Sequence, residues 1–362
     1  LDSHQHTTTM QIAKVDGDIF IHFTRAAATH DPFDNAFLMT ENDMNSILWY
    51  IGSSDRLVPH AASAEQRGTT FIDLTGKQFL DPDYSDDPDY CTITMGNDNV
   101  HIPNTLGHGI FDTKNPYMHI GFDIGALLKA QVDKGECDSR FLDLEMEEKY
   151  HVVRGDVIHD DEHSGRFLHH MVVFRCSGRP YSIGVLEFGN NMDGSCSGID
   201  LVWAPGLLPF VAPPEAGIRT GGGERYLMLE FHFYNPDLVK FVDSSKYQIV
   251  LTKKLRQHDI GFLSTSAHAI LDAKIGPLER SISYGPDYCD LNCAGVHSWT
   301  QEVNVLGVFH HMHNTGFSGD VQVIRDGENL GSISHLGRYD FAHQRIRSPR
   351  IKKLKPNDVL AT

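Results

Sequence analysis

Two short stretches carry histidines at spacings that suit a metal ion. In Phe309-His310-His311-Met312-His313-Asn314-Thr315-Gly316 two of the histidines stand two residues apart. Residues i and i+2 of a β-strand face the same side, so His311 and His313 can close on one ion without bending the backbone. Leu168-His169-His170-Met171 carries a second pair, this time adjacent. On a regular strand His169 and His170 face opposite sides, and they share an ion only if the strand is bulged or lies at an edge. The chain has 22 histidines, so some fall together by chance. A single pair in a strand is more often structural than a ligand. Two pairs in apolar, strand-like settings point instead to two nitrogen-ligated sites, and imidazole suits Zn, Cu, Fe and Ni. Neither cluster contains a cysteine, which argues against a Cys-rich structural zinc site. Neither contains His-Glu-x-x-His, which argues against a zinc hydrolase.

The elements that must position these residues read as strands. Alternating or β-rich runs occur at 18–25, 47–51, 69–74, 150–158, 166–174, 226–234, 247–252 and 302–309. The run at 226–234 contains a further histidine, His232, and is ended by Asn235-Pro236. Asp326-Gly327 is a strong hairpin signal between two more runs. Convincing amphipathic helices are nearly absent. The acidic, proline-containing stretch Asp81 to Asp89 reads as a linker. Residues 100–122 are poorly periodic, and His101, His108 and His119 within them read as loop or core histidines. Gly221-Gly222-Gly223 precedes a strand rather than a helix, so it is a loop and not a phosphate cradle. The expected fold is all-β: two successive jelly-roll-like β-sandwiches, preceded by part of a third. The expected divisions are a partial domain at 1–80, a linker at 81–122, and sandwiches at 123–242 and 243–362.

Composition narrows the partners. A net charge of −17 over 362 residues argues against nucleic acid and anionic membrane surfaces. No apolar run approaches the ~20 residues needed to span a bilayer. The cysteines, at 91, 137, 176, 196, 289 and 293, are even in number and scattered, as expected of disulfides formed in an oxidising compartment. The expected location is the secretory pathway or the extracellular space. Leu1 is not methionine and the last residues read as a strand cut short, so the chain is expected to be a fragment.

Taken together, these segments resemble the copper type II, ascorbate-dependent monooxygenases, and within them the dopamine β-monooxygenase-like subgroup. The similarity covers roughly residues 120–362. Leu168 to Cys176 resembles the family's His-His-Met strand, and Leu229 to Pro236 the segment supplying a third histidine. Tyr288-Cys289-Asp290-Leu291-Asn292-Cys293 resembles its Tyr-Cys-x3-Cys element, and His311 to Gly316 its His-x-His segment. The amino-terminal Phe23-Thr24-Arg25 and Asp31-Pro32-Phe33-Asp34 look like the end of a DOMON domain.

The resemblance implies a role for each residue. His169, His170 and His232 would hold an electron-storing copper, and His311 and His313 a second, oxygen-reacting copper. The family's second site takes a methionine beyond residue 362. Met312 is no ready substitute, since on a regular strand it points away from its two flanking histidines. The implied function is copper-dependent hydroxylation of a C–H carbon of a small-molecule substrate with O2, with ascorbate as reductant. The alternative is a non-catalytic secreted β-sandwich that binds copper or another ligand; the protein could also form oligomers. Cys176 and Cys196 match positions that pair in the family. The partners of Cys289 and Cys293 would lie beyond this chain. Cys137 lacks its usual partner, for which Cys91 is a candidate. Peptide-amidating relatives carry an arginine where this chain has Phe309, which argues against a peptide-glycine substrate and leaves an aromatic or aliphatic amine. Glu230 shares strand parity with His232 and is a candidate outer hydrogen-bond partner for a ligand histidine.

Overall fold

The computed structural model describes the strand backbones at 7–15, 18–25, 45–50 and 67–72. It further describes residues 82–84, 87–104, 114–160, 167–189, 193–204, 207, 209–265, 288–291, 300–312, 316–337, 339, 344, 346–347 and 349–362. The fold is all-β, with one α-helix among the described residues. The chain divides into two compact units, one holding residues 48–69 and 80–264, the other 1–47, 70–79 and 265–362.

The first unit is a two-sheet sandwich. One sheet runs Glu187–Phe188, Tyr117–Asp123, Tyr226–Phe233, Leu168–Cys176, Cys196–Trp203, with every pair antiparallel. The other runs His258–Ile260, Ala216–Gly221, Lys149–Ile158, Lys246–Thr252, Tyr90–Gly96, and Phe210–Val211 also pairs with Lys149–Ile158. Alternation drives their association. Cys91, Ile93 and Met95 on the Tyr90 strand are buried while their neighbours are only partly so. They join Tyr247, Ile249 and Leu251 and, from the opposite sheet, Met171, Val173, Leu229, Phe231 and Phe233 in one core. Fully burying side chains such as Phe231 and Phe233 contributes roughly 1.5–3 kcal/mol each.

The Leu168 strand departs from simple alternation because both of its faces are covered. Met171 and Val173 enter the main core, whereas Val172, Phe174 and Cys176 join Cys196 and Met228 in a smaller cluster. The histidine-bearing strands therefore have an apolar face toward the sandwich core and a second, polar-tolerant face away from it.

The expected linker at 81–122 contains the strands Tyr90–Gly96, Val100–Ile102 and Tyr117–Asp123. Two of these belong to the sandwich sheets, and their pairings are with residues far along the chain, which local periodicity does not report. The expected division at 242/243 likewise meets a strand that crosses it functionally: Lys246–Thr252 lies between Tyr90–Gly96 and Lys149–Ile158 in the first unit. The helix Ile124–Lys134 is also additional to the sequence expectation. Its signals are its caps. Asp123 Oδ1 accepts from the Ala126 N–H at 3.2 Å, and Gly135, at φ 76°, closes the C-terminus.

In the second unit a sheet runs Tyr288–Asp290, Val359–Ala361, Gly319–Arg325, Glu328–Leu336. It covers a core of Leu291, Val321, Val323, Ile333, Leu354 and Leu360. The expected hairpin turns at Asp326 and Gly327, whose φ values of 52° and 82° suit a turn with two left-handed central residues. The single strand expected at 302–309 is instead two short ones, Val303–Asn304 and Val308–Phe309, paired with Lys353–Leu354 and Ile346–Arg347. Nearer the N-terminus, Thr7–Val15 pairs with Asp18–Arg25, and Asn45–Tyr50 with Arg67–Ile72.

Two disulfides staple the first unit, Cys91–Cys137 and Cys176–Cys196, across sequence separations of 46 and 20 residues. Loop-closure entropy sets their expected contributions at about 4 and about 3 kcal/mol respectively. Paired Cys→Ser variants should therefore lower the unfolding free energy in denaturant titrations, with the Cys91/Cys137 variant the more affected. Equal loss, or none, would show that the loop argument does not govern this sandwich.

Candidate metal centre

The Tyr226 and Leu168 strands are neighbours in the middle of the first sheet. Their register is regular from Tyr226 opposite Cys176 down to His232 opposite His170, and then Phe233 stands opposite Leu168. His169 is the extra residue, a β-bulge. Strict alternation would give His169 the core-facing side of Met171 and Val173. The bulge releases it from that alternation, and its ring meets that of His170.

His169, His170 and His232 are buried, with 5%, 6% and 3% of their surface exposed. One nitrogen of each lies within 4.8 Å of the others. His170 Nδ1 stands 3.1 Å from His169 Nδ1 and 3.3 Å from His232 Nδ1. A ring nitrogen carries either one proton or one lone pair. His170 Nδ1 therefore cannot serve both contacts equally well as a hydrogen bond. A cation accepting all three lone pairs satisfies them together. Two imidazoles bound at ~2.0 Å to one ion with near-tetrahedral angles sit about 3.3 Å apart, which matches the observed separations. The donor set and its spacing fit a metal ion.

A third strand completes the surroundings. Tyr117 and His119 stand opposite His232 and Glu230 on the Tyr226 strand. The Tyr117 ring stacks on His232 with centroids 4.1 Å apart and planes 7° apart. His119 Nε2 meets Glu230 Oε2 at 2.7 Å, and Glu230 Oε1 lies 3.9 Å from His170 Nε2. Strand parity associated Glu230 with His232; the nearest outer nitrogen of the cluster is in fact that of His170. In the sequence His119 reads as a loop or core histidine and Tyr117 carries no role; His119 is buried. The available signal was their own i, i+2 spacing, the same signal that singled out His311 and His313.

In the second unit, His311 follows the Val308–Phe309 strand and is exposed. Gln344 Oε1 accepts from its Nδ1 at 2.8 Å, the tautomer that leaves the Nε2 lone pair for a ligand role. His310 Nε2 pairs with Ser334 Oγ at 2.9 Å. Burial and the nearby Arg347 charge hold its pKa below the ordinary histidine value. The Met312 N–H donates to the Tyr339 hydroxyl at 3.1 Å. His313 and Cys293 lie outside the described residues, so the structure brings together His169, His170 and His232 and describes His311 alone of the second pair.

Burial, and then the Glu230 charge, push the Tyr117 pKa up from 10.0 to about 12. The folded state thus favours the neutral phenol. Tyr117 contributes nothing to pH dependence well below pH 10, where it is neutral in both states. Above that, the unfolded chain ionises first, so stability falls as pH rises through about 12. Ultraviolet difference titration of Tyr117→Phe should lose one late-titrating phenol. Its stability should also fall less steeply over this alkaline range than the parent's. An unchanged late-titrating fraction would contradict the burial argument.

The family profile for the copper type II ascorbate-dependent monooxygenase, N-terminal domain, matches residues 133–240, a span containing His169, His170 and His232. The chain is 28% identical over 238 residues to MOXD1 homolog 1 of Drosophila melanogaster, covering 60% of this chain and 34% of that protein. It is 30% identical over 243 residues to tyramine beta-hydroxylase of Caenorhabditis briggsae, covering 63% and 40%. It is 24% identical over 375 residues to dopamine beta-hydroxylase of Homo sapiens, covering 100% and 55%. The chain thus spans about a third to just over half of the length of these curated relatives.

Proposed function

We propose that the chain, whose residues 133–240 match the N-terminal domain of the copper type II ascorbate-dependent monooxygenases, takes part in copper-dependent hydroxylation of a small aromatic amine, using O2 and ascorbate. The observation that carries this reading is the convergence of three buried imidazoles from two adjacent strands. In this reading His169, His170 and His232 hold one copper, and His311 and His313 help to hold a second. When bound, copper supplies one-electron chemistry between Cu(I) and Cu(II), and two such ions together supply the two electrons that the hydroxylation consumes.

The protein's own contribution is positional. The bulge at His169 brings adjacent ring nitrogens to one point. Tyr117 covers the face of His232 and keeps water from it. Gln344 holds His311 in the tautomer whose Nε2 faces away from that hydrogen bond. An aromatic or aliphatic amine is favoured over a peptide carboxylate because Phe309, not a cation, stands two residues before His311. Its ring lies 6.3 Å from that of His311, with planes 17° apart. The names of two relatives, tyramine and dopamine beta-hydroxylase, point to the same substrate class. The two disulfides suit folding in the secretory pathway, and residues 1–80 are assigned to a DOMON-like domain on their sequence resemblance.

The decisive measurement is copper stoichiometry with Cu(II) EPR on the parent, His232→Ala and His311→Ala. Loss of a nitrogen-coordinated signal in His232→Ala, loss of a separate, weaker signal in His311→Ala, and bleaching of the parent signal by ascorbate are expected. Tyramine or dopamine should then support ascorbate-dependent O2 uptake by the full-length protein. Copper binding indifferent to both substitutions would remove the monooxygenase reading and leave a binding module.

A further inference from the structure

Glu230 is a buried carboxylate in a cross-strand row in which His119 has a second carboxylate, the partly buried Glu187 of the edge strand, on its other side. On its own strand Met228 and His232 share its face, and across the sheet it stands between Val172 and His119. A buried carboxylate is costly unless it is paired, and an apolar residue here would extend the cluster of Val172, Phe174 and Met228. The two oxygens of Glu230 are divided between two histidines. Oε2 lies 2.7 Å from His119 Nε2, a hydrogen bond between buried groups. Oε1 lies 3.9 Å from His170 Nε2, past hydrogen-bond length but within ion-pair range. The His170 ring accordingly stands between the carboxylate on its Nε2 side and the two partner imidazoles on its Nδ1 side.

From this arrangement we propose that Glu230, anchored by His119, is a positioning residue that holds His170 with Nδ1 directed into the metal centre. The inference rests on reading His169, His170 and His232 as that centre. An imidazole can present either nitrogen after a half-turn of its ring, and the two choices are equivalent only if nothing outside distinguishes them. Glu230 distinguishes them. A proton on Nε2 faces a carboxylate, which leaves the Nδ1 lone pair for the ion. The adjacent negative charge also raises the basicity of the ligand nitrogen. His119 fixes the carboxylate in place, so it acts on the centre through Glu230.

The test reads copper on a His311→Ala background, so that a single centre is observed in the full-length protein. Chelator competition gives affinity, and Cu(II) EPR gives the nitrogen coordination. Glu230→Gln keeps the shape and removes the charge; it is expected to weaken copper binding about 10–100-fold and to alter the hyperfine pattern. His119→Leu, which releases the carboxylate, should shift both readouts in the same direction. His119→Gln, which retains a donor toward Glu230, should stay close to the parent. Parent-like affinity and spectrum in either Glu230→Gln or His119→Leu overturn the proposal, so the second variant decides if the first does not fold. His232→Ala separates the two levels of inference. Copper retained in that variant removes the metal centre itself, whereas copper lost there but unaffected in Glu230→Gln removes only the positioning role.

Discussion

A β-strand sends successive side chains to opposite faces, and two adjacent histidines meet at one point only where that alternation breaks. The break in this protein is a single residue wide. Between His232 opposite His170 and Phe233 opposite Leu168, the Leu168 strand has one residue more than its partner. Without it, His169 would be committed to the apolar core beside Met171 and Val173. There its ring nitrogens would need partners that a core of Phe231, Leu229 and Ile93 does not provide. The bulge thus resolves a packing conflict and assembles the histidine cluster in the same step.

The rest of the first unit keeps that geometry in place. The cluster draws on two strands in the middle of a five-stranded sheet, with Tyr117 and His119 supplied by a third. Each of these strands has pairing partners on both sides, so its backbone is fixed by two ladders. On one face the sheet packs into the sandwich core, and on the other Val172, Phe174 and Met228 shelter the row that leads to the histidines. The Cys176–Cys196 bridge pins the far end of the Leu168 strand to its neighbour. Cys91–Cys137 ties an edge strand of the opposite sheet to the segment following the helix. Burial also strengthens every charge interaction made there, which is why one carboxylate at Glu230 can matter to a nearby imidazole.

The second unit solves a related problem by other means. His311 lies after a two-residue strand and is exposed, and its Nδ1 is hydrogen-bonded to the side-chain amide of the buried Gln344. Its neighbours are accounted for separately: His310 by Ser334, and the Met312 backbone by Tyr339. In both units a side chain distant in sequence determines which imidazole nitrogen is presented. In the first unit that side chain is an anion held by a further histidine, and in the second it is a neutral amide.

Local pattern in the sequence was enough to mark the strands that carry His170 and His232, the turn at Asp326-Gly327, and the all-β character, because strand alternation and turn chemistry are properties of neighbouring residues. It was also enough to single out both histidine pairs and to state the condition that His169 and His170 would have to meet. The resemblance of the motifs in their order added His232 and the pairing of Cys176 with Cys196. Tertiary structure decided the rest. Whether the Leu168 strand is bulged depends on its register with a strand some sixty residues away, as the pairing of His170 with His232 shows. Tyr117 and His119 enter the centre only because their strand pairs with 226–233, and Lys246–Thr252 enters the first sandwich only because its ladder partners are 90–96 and 149–158. Cys91 finds Cys137 for the same reason. Sequence determines what each strand can offer to either face; the long-range hydrogen-bond register determines which offers meet.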